Sequence, residues 1–179
     1  LEDPIEHEGE GLLQLKIDEE RMSFNDGLRS ILSHDPDVIV VGEIRDEETA
    51  DICFKAAATG HLVISTIHTN DAFNVISRLE MLGVPKEIIS ENMRMSVAQR
   101  LVKKVCPRNK EKKDISCQST SCIDGYLDRR QVILQILNQE QIVKFIDSGS
   151  RKGSKTLQEV AIEYAKKKII AYQDALSVA

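Results

Sequence analysis

The chain has 179 residues, a formal net charge of −5, 41% hydrophobic and 30% charged residues, the balance of a globular protein long enough to bury a core. The acidic balance, 4% aromatic content and lack of Trp argue against nucleic acid or an anionic membrane as partner, since those call for clustered cations or stacking rings. No apolar run approaches the length that crosses a bilayer.

The chain opens on LEDPIE, in which Glu2, Asp3 and Glu6 surround Pro4. This acidic group, stiffened by Pro, reads either as a cluster that holds a metal or water or as a solvated loop. A start at Leu1, without Met and directly in this string, reads as part of something longer. Leu13–Ile17 alternates as a short strand. Ser23 with Asp26 resembles a capping box with Asp standing in for Glu. It opens a helix whose Phe24, Leu28, Ile31 and Leu32 share one face, and Pro36 stops that helix.

Val38, Ile39, Val40 and Val41 form a β-branched run of the kind buried on both faces of a parallel sheet, ended by Gly42. Glu43 follows at once, then Arg45 and Asp46. Ligands of open α/β sheets sit beyond the carboxyl ends of the strands, so a carboxylate stands where a ligand would be. Two readings of Glu43 are open: an acid that polarises a water or holds a metal-bound one, or one that caps or solvates a loop.

Asp46 reads as the N-cap of the next helix, with Glu47 and Glu48 at its positive end. Ala50, Cys53, Phe54 and Ala57 are its expected buried stripe, and Gly60 its left-handed end. Leu62–Ile67 is a second strand of the buried kind, bracketed by His61 and His68. His68 shares the expected ligand edge with Glu43, which favours function over a structural histidine.

Asn70 is placed to cap a helix through Phe73, Ile76 and Leu79 that Gly83 ends, and Pro85 opens another. Ile89, Met93, Val97, Leu101 and Val105 recur every four residues and predict one continuous helix, with Arg94, Arg100, Lys103 and Lys104 on or beside its exposed side. From Cys106 to Tyr126 the chain turns polar, rich in Lys and Ser, and carries Cys106, Cys117 and Cys122. Clustered thiols are metal-ligand candidates. A structural zinc site wants four ligands, and Asn109 occupies the place of the second Cys in a Cys-x-x-Cys.

Val132–Leu137 reads as a strand, and Asn138–Ser148 as a helix with Ile142, Phe145 and Ile146 inward and Gly149 as its stop. After a linker at Ser150–Ser154, Thr156 with Glu159 forms a capping box for a helix carrying Leu157, Val160, Ala161 and Tyr164, with Lys166, Lys167 and Lys168 at its negative end. Asp174–Ala179 begins a last helix. The expected organisation is an α/β core over 1–105, a Cys-bearing insert over 106–126 and a strand with helices over 127–179.

Several of these stretches, in order, resemble the secretion ATPases of bacterial type II secretion and type IV pilus assembly. LEDPIE resembles the family's Asp box, DPDVIVVGEIRDEETA its Walker B region and TGHLVISTIHTNDA its His box. VAQRLVKKVCP resembles the segment that follows, and CIDGYLDRRQVILQIL the Cys and Gly-Tyr block after the zinc-binding part. The long GEIRD and TGH…HTND strings are far more specific than any short motif.

The resemblance implies the carboxy-terminal portion of a RecA-like P-loop core. Such a protein works as a homo-hexamer on the cytoplasmic side of the bacterial inner membrane, without inserting in it. It binds ATP with Mg²⁺ and drives pilin-like assembly at an inner-membrane platform protein. Carried onto this sequence, Glu43 orients or activates the attacking water, and Glu2 and Glu6 help hold Mg²⁺-bound waters. His68 senses or stabilises the γ-phosphate, with His61 in support and Arg45 beside the nucleotide. The Cys block implies Zn²⁺ at Cys106, Cys117 and Cys122, with Asn109 replacing one Cys of the usual four, and fits the secretion or pilus-extension branch rather than the retraction branch. Ser33 stands where the family usually has Arg.

The family's glycine-rich phosphate loop lies upstream of the Asp box and is not among these 179 residues; nor is the amino-terminal domain that supplies arginines. Without that loop's N–H groups and Lys around the phosphates, the chain alone is expected to bind ATP weakly and to be inactive. Two other classes compete: a non-enzymatic oligomerisation and docking module, and a metal-dependent hydrolase using Glu2, Glu6, His61 and His68. Against the latter stands the lack of an H-E-x-x-H spacing.

Overall fold

The computed structural model describes residues 1–2, 4–5, 7–18, 21–107, 122–123 and 125–178. They divide into two compact units, Leu1–His68 with Val75–Arg94, and Thr69–Asn74 with Met95–Ala179. These units are cut elsewhere than the segments 1–105, 106–126 and 127–179 expected from composition.

In the first unit, α1 (Phe24–Leu32) starts where Ser23 accepts from the Asp26 N–H and its hydroxyl donates to the Asp26 carboxylate at 2.8 Å. The next strand, β1 (Val38–Glu43), leads to α2 (Glu47–Ala58), whose first turn is capped by Asp46 accepting from the Thr49 N–H at 2.8 Å. Gly60 takes a φ of 105°, which lets the chain turn directly into β2 (Leu62–Thr66). β1 and β2 pair in parallel, Val38 opposite Leu62. Leu28 and Ile31 of α1, Ile39 and Val41 of β1, and Ile52, Cys53 and Ala56 of α2 form the core, joined by Leu1 and Ile17. α3 (Asn74–Met81) and α4 (Lys86–Asn92) follow.

Four expectations for this region are corrected. Phe54 and Ala57 are only half-buried, and the buried side of α2 is Thr49, Ala50, Ile52, Cys53 and Ala56. The first turn of α3 is held by Asp71, whose carboxylate accepts from the Asn74 N–H at 2.7 Å, rather than by Asn70. Leu13–Ile17 forms no strand: only Lys16 bridges to Glu2, and Ile17 is pinned by its N–H donating to the Glu2 carbonyl at 3.0 Å. Finally, β1 and β2 are covered on one face only, with Val38, Val40, Leu62 and Ile64 each at least 50% exposed. An unbroken apolar run is compatible with one covered face or two, so periodicity could not decide between them.

In the second unit, β3 (Met95–Val105), β4 (Cys122–Ile123) and β5 (Tyr126–Asn138) form an antiparallel sheet in the order β3-β5-β4. The long helix expected through Val97, Leu101 and Val105 is therefore a strand. A repeat of four residues is a multiple of the strand period of two, so the same spacing lines up one face of a strand as well as it approximates a helix. Ser96, Ala98 and Val102 are buried on one face, whereas Met95, Val97 and Leu101 emerge on the other with Val132, Leu134 and Ile136 of β5.

β5 runs into α5 (Gln139–Ser148) through a reciprocal capping box of Asn138 and Gln141, and Gly149 ends the helix at φ 65°. α6 (Leu157–Lys166) has the Thr156–Glu159 box in both directions, and α7 (Tyr172–Leu176) packs with α6 and β3. Among the described residues no helix is long and apolar enough to cross a membrane.

Candidate functional site

The carboxyl ends of β1 and β2 carry the residues singled out from sequence. The ladder pairs Val41 with Ser65 and Glu43 with Thr66, so Gly42 is an extra residue that shifts the register. Such an insertion bends a strand and re-aims the side chain beside it. Thr66 stabilises the irregularity, its hydroxyl donating to the Gly42 carbonyl at 2.6 Å and its own carbonyl accepting from the Ile44 N–H at 2.9 Å.

On the other side of Gly42 the chain start runs alongside β1. The Leu1 nitrogen donates to the Val40 carbonyl, and the Gly42 N–H donates to the Leu1 carbonyl, each at 2.8 Å. A Cβ at position 42 would lie 3.2 Å from the Leu1 carbonyl oxygen and 3.6 Å from Glu2 Cα. Glycine thus suits the close approach of two backbones, which a Cβ would press slightly apart and which brings Glu2 next to the residue preceding Glu43.

Glu43 is the centre of the group. Its Oε1 accepts from the Arg45 guanidinium through both Nε and Nη2. Its Oε2 lies 3.2 Å from His68 Nε2. The Arg45 hydrogen bond holds the Glu43 carboxyl below its ordinary range, against the desolvation that pushes it up, and the charges of Arg45 and His68 act in the same direction as the bond. Glu43 is therefore an ionised acceptor at neutral pH, with one oxygen on a cation and the other beside an imidazole. The His68 side chain is 94% exposed, against 18% for Glu43, so its ring is open to a ligand.

The other candidates fall elsewhere. His61 precedes β2 at its amino end, with Nδ1 3.0 Å from the Ala56 carbonyl and 3.2 Å from the Thr59 hydroxyl. It closes the end of α2, and the length of β2, about 16 Å at 3.3 Å per residue, separates it from His68. The Glu2 carboxylate meets the Gln14 amide at 3.5 Å. Glu6 and Cys117 lie outside the described residues, as do Asp3 and Asn109.

Cys106 is buried and its N–H donates to the Gly125 carbonyl at 2.9 Å, while Cys122 is half-buried in β4. Among the described residues no cluster of His, Cys, Asp or Glu could hold a metal ion. The expected Zn²⁺ thus finds no support. Cys53 is a core thiol, pushed up to about 12 chiefly by burial, with the nearby Asp46 charge adding to the effect. Sequence reading missed Thr66 and the register shift at Gly42, because a one-residue slip leaves no periodic trace.

Comparison with known proteins gives the family of the chain. A family model described as "Type II/IV secretion system protein" matches residues 1–176. The protein transport protein HofB homolog of Haemophilus influenzae is 46% identical over 141 residues, 78% of this chain and 30% of that protein. Competence protein ComGA of Bacillus subtilis is 41% identical over 150 residues, 83% of this chain and 41% of that protein. The chain thus spans well under half the length of these relatives.

Among solved structures, the pilus retraction motor PilT with bound ADP superposes with a TM-score of 0.75 at 27% identity, covering 99% of this chain and 51% of that one. The family model spans nearly the whole chain and the relatives are more than 40% identical over most of it: this chain belongs to the type II/IV secretion system protein family.

Proposed function

We propose that the chain is the carboxy-terminal part of the nucleotide-hydrolysing core of a secretion or pilus motor ATPase. The observation that carries the reading is the placement of Glu43 between Arg45 and His68 at the carboxyl ends of adjacent parallel strands. That is where an α/β sheet presents groups to a ligand. Phosphoryl transfer asks a protein for positioning and charge stabilisation more than for covalent chemistry.

Glu43, ionised and hydrogen-bonded on both oxygens, orients the attacking water and takes up its proton. His68, open to solvent, contacts the γ-phosphate, and Arg45 keeps Glu43 ionised and fixed. Glu2, brought beside Gly42, and Glu6 hold the waters of a Mg²⁺ ion. The donor set suits the group: hard carboxylate oxygens are what Mg²⁺ takes, usually through its own waters. The metal, when bound, neutralises charge developing on the phosphate oxygens. His61, tied to α2, acts at the base of the strand. By the same reading the working protein is a homo-hexamer docked on an inner-membrane platform protein.

The test is steady-state ATP hydrolysis by the full-length protein and by its Glu43→Gln variant. Loss of a positioned base costs on the order of 10²–10⁴-fold, so turnover should fall by that factor while the hexamer persists. Equal turnover in both would remove Glu43 from the mechanism. Mg²⁺-dependent folding without turnover in either would favour a docking module.

A further inference from the structure

We propose that a cavity of the second unit binds a small phosphorylated molecule, holding its phosphate on Lys103 and Arg130 and accepting a hydroxyl or amino hydrogen bond from the same molecule on Asp174. The proposal stands apart from the hydrolytic reading of Glu43 and His68, neither of which lines this cavity. The space measures about 320 Å³ and lies among β3, β5 and α7, all of the same unit. Ligand pockets run from about 300 to 1,000 Å³, so this one suits a small molecule rather than a peptide.

Lys103 on β3 stands directly opposite Arg130 on β5. Like charges at opposed positions destabilise a sheet, and among the described residues neither of the two forms an ion pair. The register shifts between Lys103 and Val105, where Tyr126 joins the ladder. Such a shift bends the strand, and here residues on both sides of it line one cavity. The Lys103 ammonium sits 5.6 Å over the Tyr126 ring. Arg100 adds its charge to the lining, its guanidinium donating to the Gln99 and Asn70 carbonyls at 3.0 and 2.7 Å.

Asp174 of α7 supplies the other half. Its carboxylate takes the hydrogen bond of the Tyr126 hydroxyl, while its Oδ2 is buried and has no partner among the described residues. A buried carboxylate oxygen is costly unless it accepts a hydrogen bond, and a donor on a ligand meets that need. Three cations against one acid make the lining positive, so the ligand is an anion that also carries a donor. A phosphate monoester has roughly two negative charges near neutral pH, which matches two opposed cations, where a carboxylate brings only one. A merely solvated basic face spreads its cations apart. It does not oppose two of them at a cavity whose wall holds an unpartnered acid.

The test titrates this chain with ribose 5-phosphate, inorganic phosphate and ribose, followed by ¹H–¹⁵N NMR. Ribose 5-phosphate should bind saturably with a Kd on the order of 1 mM, moving the amides of Lys103, Tyr126, Arg130 and Asp174. Inorganic phosphate should move the same amides with weaker affinity, and ribose should not bind. Lys103→Gln and Arg130→Gln, both at exposed positions, should each weaken ribose 5-phosphate about tenfold, the size of one charge-assisted hydrogen bond. Asp174→Ala removes the acceptor and should abolish the advantage of ribose 5-phosphate over inorganic phosphate.

No saturation by about 10 mM, shifts confined to other amides, or an affinity that Lys103→Gln and Arg130→Gln leave unchanged would overturn the proposal. Equal affinities for ribose 5-phosphate and inorganic phosphate in the parent would overturn it too, since the cavity would then seat an adventitious ion only. Should Asp174→Ala fail to fold, the two exposed cations and the comparison of the three probes in the parent still decide the outcome.

Discussion

At the scale of single residues, the site depends on one glycine and one ion pair. Gly42 is legible in the sequence only as a strand end. That a side chain there would press on the Leu1 carbonyl, 3.2 Å from where a Cβ would sit, follows from a contact with a residue far away in the sequence. Glu43 was legible as an acid at a ligand edge, but not as an acid held between a guanidinium and an imidazole.

Arg45 supplies the largest effect lowering the Glu43 carboxyl from its ordinary 4.5. Arg45→Gln should therefore raise the Glu43 titration midpoint, read by carboxyl ¹³C NMR. The sign for stability follows from linkage: a carboxyl depressed in the folded state contributes stability present above its unfolded value and lost as pH falls through the folded one. The parent should thus lose stability more steeply than Arg45→Gln below about pH 4.5, measured by urea unfolding across pH. An unchanged midpoint would mean that the guanidinium is solvated rather than bonded.

At the scale of elements, the helix N-caps were the most readable features. Ser23 with Asp26 and Thr156 with Glu159 both start helices where the spacing places them, because a cap is a contact between residues three apart. β3 was the opposite case. Its apolar residues recur every four positions, and only the partner strand β5 decides that the repeat is read with period two.

Adjacent positions separate the alternatives. A helix through Val97, Leu101 and Val105 buries Leu101 and exposes Val102, whereas β3 leaves Leu101 57% exposed and Val102 7%. In this chain Leu101→Lys should cost within about 0.5 kcal/mol, and Val102→Lys roughly 3 kcal/mol or more, because only the second buries an unpaired charge. Urea denaturation of both variants checks this, and the reverse order of costs would restore the helix.

At the scale of the whole molecule, the parallel pair β1-β2 and the antiparallel sheet β3-β5-β4 belong to separate compact units. The proposed catalytic groups Glu43, Arg45 and His68 all stand on the first. The sequence contains no glycine-rich phosphate loop with Lys and Ser/Thr, so nothing in it offers the row of backbone N–H groups that cradles β- and γ-phosphates. Calorimetric titration of this chain with Mg·ATP should accordingly show no micromolar binding. A saturable micromolar isotherm would show that the strand-end groups bind nucleotide without such a cradle.

What the sequence by itself determined was local or linear: the helix starts, the two apolar strands, the acid and the histidine at their ends, and the ordered strings that mark the family. Each is set by contacts within a turn or two, or by the identity of consecutive residues. What only the tertiary structure decided was which faces are covered, that β3 is a strand, that Gly42 shifts the register of β1 against β2 beside the Leu1 backbone, and that Glu43 meets His68. Those depend on partners tens of residues away, whose approach leaves no period or spacing in the chain.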